Sequence, residues 1–352
     1  MTIERFREAL VQAAAERRPL CLRGGGTKDF YGNAPRGEVL DVRGHAGIVS
    51  YEPTELVVTA RAGTPLAELE AVLAKAGQML PFEPPHFGAA ATVGGCVATG
   101  LSGPRRATAG AVRDYVLGAR ILDGRGEELA FGGQVMKNVA GYDVSRLLAG
   151  SMGTLGLILE ASFKVLPRPV ARATRRLEMD EASALAQLNR WSGQPLPLSA
   201  SAWENGQLTV RWEGAESAVR SAVQKVGGAA LPEVEADAWW AALRDHADPF
   251  FSGDAPLWRL SLPSTAKPVA LPGRQLIEWG GAERWWMTPA PAEAVRAAAA
   301  AAGGHATLFR ARDKAAPAFT PLAPVLLKLH LGVKAALDPA GILNPGRLAP
   351  EF

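Results

Sequence analysis

Apolar residues recur at helical spacing through the charged opening stretch "MTIERFREALVQAAAERR". Ile3, Phe6, Leu10 and Val11 fall on one face and predict a helix that ends near Arg18. The apolar "LCLRG" that follows reads as a short strand, and "LVVTARAG" from Leu56 as a second. Thr64 then stands as an N-cap with Pro65 at the first helical position. Leu66, Leu69, Val72 and Leu73 form the apolar side of that helix, and Gly77 closes it. From Pro81 to Arg106 neither period holds, and Pro84, Pro85, Gly88, Gly94, Gly95, Gly100 and Gly103 predict a long loop. Strands "YVLGARILD" and "EELAF" flank "GRGE", a hairpin turn. A helix around "SRLLAG" leads to the glycine turn and strongly apolar strand of "GSMGTLGLILEASFKVLP".

The pattern changes at Pro167. "PRPVARATRR" reads as a linker or an exit strand, and all nine tryptophans lie beyond it, from Trp191 to Trp286, which argues for a second domain with its own core. Its strands are "LSASAWENGQLTVRWEG", a hairpin about Asn205-Gly206, with "LWRLSLP" and "RWWMT". Helical stretches "ESAVRSAVQKVGG" and "PAEAVRAAAAAAGG" separate them. The chain closes with "GGHATLFRARD", a helix from about Pro321 to Leu337, and "LDPAGILNPGRL". The expected division is 1–170, 171–302 and a returning segment 303–352.

A length of 352 residues suits two domains, and 48% hydrophobic residues suit a sizeable core. A net charge of +3 without a run of like charges is a weak basic bias that does not predict a nucleic-acid partner, and none is expected. The two cysteines, Cys21 and Cys96, lack CxxC spacing and a nearby histidine pair, so no metal site is expected. No signal peptide or membrane span is visible. The expected location is the cytoplasm, with any attachment to the inner membrane made through a partner.

The chemistry starts at "RGGGTK". Gly24, Gly25 and Gly26 expose successive backbone N–H groups, a concave run suited to anions and above all to phosphate; a plain turn between strands is the alternative. The GxxxxGK[ST] pattern is absent, and no helix follows in the manner of a dinucleotide fingerprint. "PPHFGAAATVGGCVATGLSGPRR" is too long and too small-sided for a simple connector. With "GSMGTLG" it makes three small-residue loops in one domain, which points to one large cofactor gripped at several places.

"RGGGTK", "TVGGCVATGLSGPRR", "KNVAGYDVSRLLAGSMGTLGLILEASFKVLP" and "LDPAGILNPGRL", in that order, resemble the signature segments of the FAD-dependent vanillyl-alcohol-oxidase / p-cresol-methylhydroxylase superfamily. Within it the chain is similar to the small FAD-binding E subunits of bacterial glycolate oxidases. The resemblance implies an α+β fold, in which a PCMH-type two-subdomain FAD-binding domain is covered by an antiparallel-sheet cap domain. It implies that Arg23, Gly24, Gly25, Gly26, Thr27 and Lys28 wrap the pyrophosphate. Pro84, Thr92, Val93, Gly94, Gly95, Ala98, Thr99, Ser102, Gly103 and Arg105 would line the pyrophosphate and flavin. Gly153, Thr154, Gly156 and Ile158 would hold the adenosine side, and Asn344 would return from the cap toward the flavin. Thr27 occupies a place where covalent members often carry histidine, so the FAD is expected to be noncovalent.

The resemblance also implies oxidation of glycolate or a similar small 2-hydroxy acid to the 2-oxo acid, glyoxylate from glycolate. This would take place beside a second flavoprotein subunit and an iron–sulfur subunit that carries the electrons away. Such chemistry needs a base for the hydroxyl proton and a cation for the carboxylate. The histidine-rich "HGDGN"-type segment of larger relatives is absent. His305 and Arg310, in "GGHATLFRARD", are the candidates for catalysis, although strand alternation sends His305, Thr307 and Phe309 to one face and Arg310 and Arg312 to the other. His86 lies in the flavin-loop region, His330 on the late helix, and Tyr142 packs near the flavin or elsewhere. Arg105 and Arg106 read equally as an anion-binding or an exposed pair. Trp239-Trp240 and Trp285-Trp286 read as cap core. Two alternatives stay open: a flavin-relay or structural subunit without substrate chemistry, and a stand-alone FAD oxidoreductase acting on another substrate.

Overall fold

The computed structural model describes residues 2–133, 143–314 and 316–352. "KNVAGYD" up to Tyr142 lies outside the described residues. The first half builds on a five-stranded antiparallel sheet, in the order Ile48–Glu52, Val57–Arg61, Leu157–Lys164, Val116–Leu122 and Glu128–Gly132. The "strongly apolar" strand is central and buried along nearly its whole length, because helices cover one face and a second layer covers the other. Helices Leu66–Lys75 and Val93–Thr99 pack on one side. On the other, Phe6 and Leu10 of helix Ile3–Glu16 meet Leu157, Leu159 and the returning Ile342 and Leu343. A small parallel pair, Leu20–Arg23 with Glu38–Asp41, lies beside them, and Leu343 bridges to Leu20.

Two local expectations change. Thr64 does not cap the helix; its hydroxyl accepts from Gly47 N (2.9 Å) and donates to Gly47 O (3.1 Å), and the cap position falls to Pro65. The stretch read as one loop from Pro81 to Arg106 contains helix Val93–Thr99, capped by Thr92 Oγ1 accepting from Gly95 N. Glycines lower helix propensity, which hid it. Gly94 is required there because a Cβ would come within 2.7 Å of Ala62 Cβ.

The second half is an eight-stranded antiparallel sheet: Ala229–Leu231, Ala171–Glu178, Gln207–Gly214, Leu198–Glu204, Arg274–Glu278, Glu283–Met287, Leu257–Ser261 and His305–Arg310. The Asn205-Gly206 turn has the positive φ of both central residues (47° and 81°) that a two-residue hairpin favours. Helices Glu181–Ser192, Glu216–Val226 and Ala292–Ala301 cover one face, burying Trp191, Trp212, Trp258 and Trp286. The other face presents Trp285, Leu276, Met287 and Phe309 to Tyr31, Leu101 and Met152 of the first half. Strand His305–Arg310 is the sheet's edge, so the sheet extends past residue 302; Gly303 (φ 81°) and Gly304 make a tight turn out of the preceding helix.

Both cysteines are buried. Burial pushes the Cys96 thiol up to about 12 and raises Cys21 as well. Neither thiol is expected to react with an aromatic disulfide reagent at pH 8 until the chain is denatured, when two should titrate; one fast-reacting thiol in the folded protein would contradict this burial.

Candidate cofactor and substrate site

The glycine run turns back on itself against two other loops. A cleft there is lined by Arg23, Gly24, Gly25, Gly26, Thr27 and Lys28, by Thr92, Gly95, Ala98 and Thr99, and by Met152, Asn344 and Arg347. Side chains are excluded at its base. A Cβ on Gly24 would collide with Thr92 Oγ1, one on Gly25 with the Ala90 carbonyl, and Gly26 has φ 70°. Gly153 (φ 72°) lies under Asn344, whose Nδ2 a Cβ would approach to 2.6 Å. Asn344 fastens the cleft: its Oδ1 accepts from Leu22 N (2.7 Å) and its Nδ2 donates to Met152 O (2.6 Å). Lys28 is buried, and its Nζ donates to the neutral His86 carbonyl (3.2 Å). No carboxylate reaches ion-pair distance of it among the described residues, and burial lowers its pKa. A side-chain-free cradle with a buried lysine that no carboxylate contacts fits a diphosphate, and the donor set therefore fits FAD.

The other sequence candidates are distributed around this cleft. Ser102 and Gly103 line a second pocket under the cap. Pro84 and Val93 are buried, and Gly94 packs on Ala62. Gly156 packs on Ile121 and Ile158 is in the core, so neither offers a side chain to a ligand. Thr154 is buried and its hydroxyl donates to Ser151 O (2.7 Å). Arg105 turns away to Glu213 (3.2 Å), beside the Arg211–Glu83 pair that joins the two halves, and Arg106 stacks over Trp279 (4.6 Å); they do not form an exposed pair. Arg310 lies over Phe30 (4.8 Å) and shares an open groove with Thr27, His86 and Phe87. His305 is exposed at the start of its strand, opposite Ser261. His86 is bonded to Glu70 (2.9 Å), and His330 is exposed on its helix.

The second pocket holds groups that sequence reasoning missed. Phe87, Trp285 and Phe309 wall it, and His246, Arg259, Glu278 and Glu283 face into it. The His246 ring stacks on Phe251 (3.7 Å, 1°) and meets Trp285 edge-on (4.6 Å). Its Nδ1 is out of contact with solvent and has no hydrogen-bond partner among the described residues. Burial holds its pKa well below the usual histidine range, and Arg310 and Arg259 push it the same way, so the ring is neutral. Arg259 donates to the Tyr31 hydroxyl (3.2 Å) and stands 4.0 Å from Glu283. Glu278 and Glu283 are paired across adjacent strands, and Glu278 accepts from Trp285 Nε1 (2.8 Å). Burial raises both carboxyls, Glu283 to about 8 against the pull of Arg259 and Arg106, and Glu278 well above the usual glutamate range through burial and then its neighbour Glu283. The signal for this set was faint: a charge inside the apolar runs "LWRLSLP" and "AERWWM".

A folded-state pKa above the unfolded value means that this pair's contribution to stability is complete below the ordinary glutamate range. It is lost as pH rises through about 8. The denaturant midpoint is therefore expected to fall between pH 6 and pH 9, and Glu283→Gln to flatten that fall; an unchanged slope in the variant would refute the assignment.

The fold and cleft define an FAD-binding protein of two layers and a cap. A family model described as an FAD binding domain matches residues 1–132. The chain is 50% identical over 345 residues to the glycolate oxidase subunit GlcE of Escherichia coli (strain K12), covering 98% of this chain and 97% of the relative. It is 31% identical over 180 residues to the glycolate oxidase subunit GlcD of Bacillus subtilis (strain 168), covering 51% of this chain and 38% of that one. Among solved structures, an alkyldihydroxyacetonephosphate synthase shares the fold with TM-score 0.67 at 16% identity, over 96% of this chain and 73% of the other. The chain belongs to the FAD-binding vanillyl-alcohol-oxidase / p-cresol-methylhydroxylase superfamily, in its branch of glycolate oxidase E subunits. It binds FAD. No described helix is long and apolar enough to cross a membrane.

Proposed function

We infer that this chain is the FAD-carrying subunit of a complex that oxidises glycolate, or a similar small 2-hydroxy acid, to the 2-oxo acid. The observation that carries this reading is the glycine cradle with its buried Lys28, in a chain half identical over nearly its whole length to a glycolate oxidase subunit. Bound noncovalently, FAD supplies the two-electron acceptor for the hydrogen leaving C2. The chain's own residues hold the diphosphate at Gly24 to Lys28, exclude water with Phe87, Trp285 and Phe309, and present charge and a neutral imidazole under the cap. Partner subunits, a second flavoprotein and an iron–sulfur protein, take the electrons onward. Helix Pro324–Leu337 supports assembly, since Val325, Leu326, Leu329, Leu331 and Val333 are exposed on it, and an exposed apolar patch marks an interaction surface.

The pocket under the cap favours a second reading, a flavin relay without substrate chemistry. Its walls enclose about 20 Å³, room for about one water. An anaerobic spectrum separates the two. Bleaching of the flavin by glycolate in the isolated chain supports chemistry here. Bleaching only after the partner subunits are added supports the relay, and no bleaching in either case overturns both.

A further inference from the structure

Glu278 and Glu283 line the pocket under the cap, but the tip of the same hairpin lines a different space. Trp279, Gly280 and Ala282 border a groove of about 490 Å³ between the two halves, which shares no lining residue with that pocket or with the glycine cleft. Its volume lies in the range of small-molecule sites. Arg106, from the first half, is the one charged side chain on its wall among the described residues, and no carboxylate lines it. The guanidinium has no ion pair or hydrogen bond among the described residues. Its face lies over the Trp279 ring (4.6 Å), which leaves the N–H edge free. Burial lowers its pKa, as expected of a charge without a close counter-ion.

The wall opposite is built to donate as well. Ser201 Oγ accepts from Gly280 N (3.1 Å), and its own hydrogen has no acceptor among the described residues; Ser261 Oγ has no partner there either. Leu188, Leu198 and Leu262 supply an apolar surface beside these donors. The backbone around the groove is strained. Trp279 (φ 52°), Gly280 (65°) and Gly281 (102°) are three successive left-handed residues, a costly conformation for a side chain as bulky as tryptophan. The bond from Trp279 Nε1 to Gly103 O (3.1 Å) helps to hold the indole in place against the first half. That strain sets the ring on which Arg106 rests.

We propose that this groove is a binding site for a monocarboxylate with an apolar body, its carboxylate on Arg106 and the hydroxyls of Ser201 and Ser261, its body against the three leucines. The planar guanidinium matches a carboxylate through two parallel hydrogen bonds. One cation meets one negative charge, whereas a phosphate dianion would leave a charge unmet beside apolar walls. The site lies outside the cofactor cleft and the pocket under the cap, so its occupation requires neither flavin reduction nor turnover.

The test is calorimetric titration of the FAD-loaded chain with benzoate, with benzamide as its uncharged counterpart, and with glycolate, a carboxylate without the apolar body. Benzoate is expected to bind, and benzamide and glycolate each at least about tenfold more weakly in the Arg106-dependent site. Arg106→Met keeps the stem over Trp279 and removes the charge; it should weaken benzoate at least about tenfold with FAD content and thermal midpoint near wild type. Ser261→Phe, which fills the groove, should remove benzoate binding and keeps the test decisive should Arg106→Met fail to fold. Three results overturn the proposal: a wild-type chain that does not bind benzoate, benzoate affinity unchanged in Arg106→Met or in Ser261→Phe, and benzamide that binds as tightly as benzoate. Glycolate binding more tightly than benzoate and lost with Arg106 would also overturn it, since the groove would then serve a small hydroxy acid.

Discussion

Alanine at position 25 is expected to empty the cofactor cleft while leaving both sheets intact. The added Cβ would fall far inside the 3.0 Å that real Cβ contacts respect, against the Ala90 carbonyl. That carbonyl is backbone and cannot rotate out of the way. Ala91, the next residue, is pinned by its N–H to Gly88 O (3.3 Å) and by its own carbonyl, which accepts from Leu66 N (2.8 Å). The two loops must therefore part, and they are the walls of the cleft. Overpacking of this kind costs about 1–3 kcal/mol. Paid at the cradle, it weakens FAD retention by at least about tenfold, which corresponds to about 1.4 kcal/mol. Flavin absorbance per chain after gel filtration measures it, with circular dichroism to confirm the fold. Gly332→Ala is the control: no atom lies within 4 Å of its Cβ, and it should keep its flavin.

The second large effect is expected at Asp338→Ala. Lys334 is 5% exposed and Asp338 2%, and they bond at 2.6 Å. Lys334 Nζ also donates to Thr154 O and Leu343 O, both at 2.8 Å, and Asp338 accepts from the N–H groups of Ile342 and Leu343. This clamp seats the returning C-terminal loop on the 151–154 turn and so sets Asn344 in the cleft. Removing the carboxylate leaves a buried ammonium without its counter-charge, a loss of about 3–5 kcal/mol. Urea denaturation of the apo chain measures it, and FAD affinity should fall with it. A midpoint within error of wild type would show that the clamp carries no weight.

Much of this was legible in the sequence because it rests on local patterns. Gly24 to Gly26 announced a backbone that something must approach closely, and Asn205-Gly206 announced its turn. The tryptophan-rich half showed that a second core existed. What escaped depended on contacts between distant residues. Gly94 sits in a helix for the sake of Ala62, against its own propensity. Thr64 left its cap for Gly47, seventeen residues away. Arg259, His246 and Glu283 come from a strand, a helix end and a neighbouring strand, and only the pairing of Leu257–Ser261 with Glu283–Met287 and the packing of the 246 turn beneath them bring the three together. His305 was visible by its place directly after Gly303-Gly304, whereas His246 in "RDHADPFF" had no pattern to mark it.

The glycine cradle is expected to hold FAD without a covalent bond. The measurement is a visible spectrum of the purified chain, repeated on the supernatant after acid precipitation. The native protein should show a flavin spectrum, and the flavin should be recovered in full in the supernatant. Flavin retained in the pellet would contradict the noncovalent attachment, and a chain that takes up no flavin even when FAD is added would contradict the claim itself.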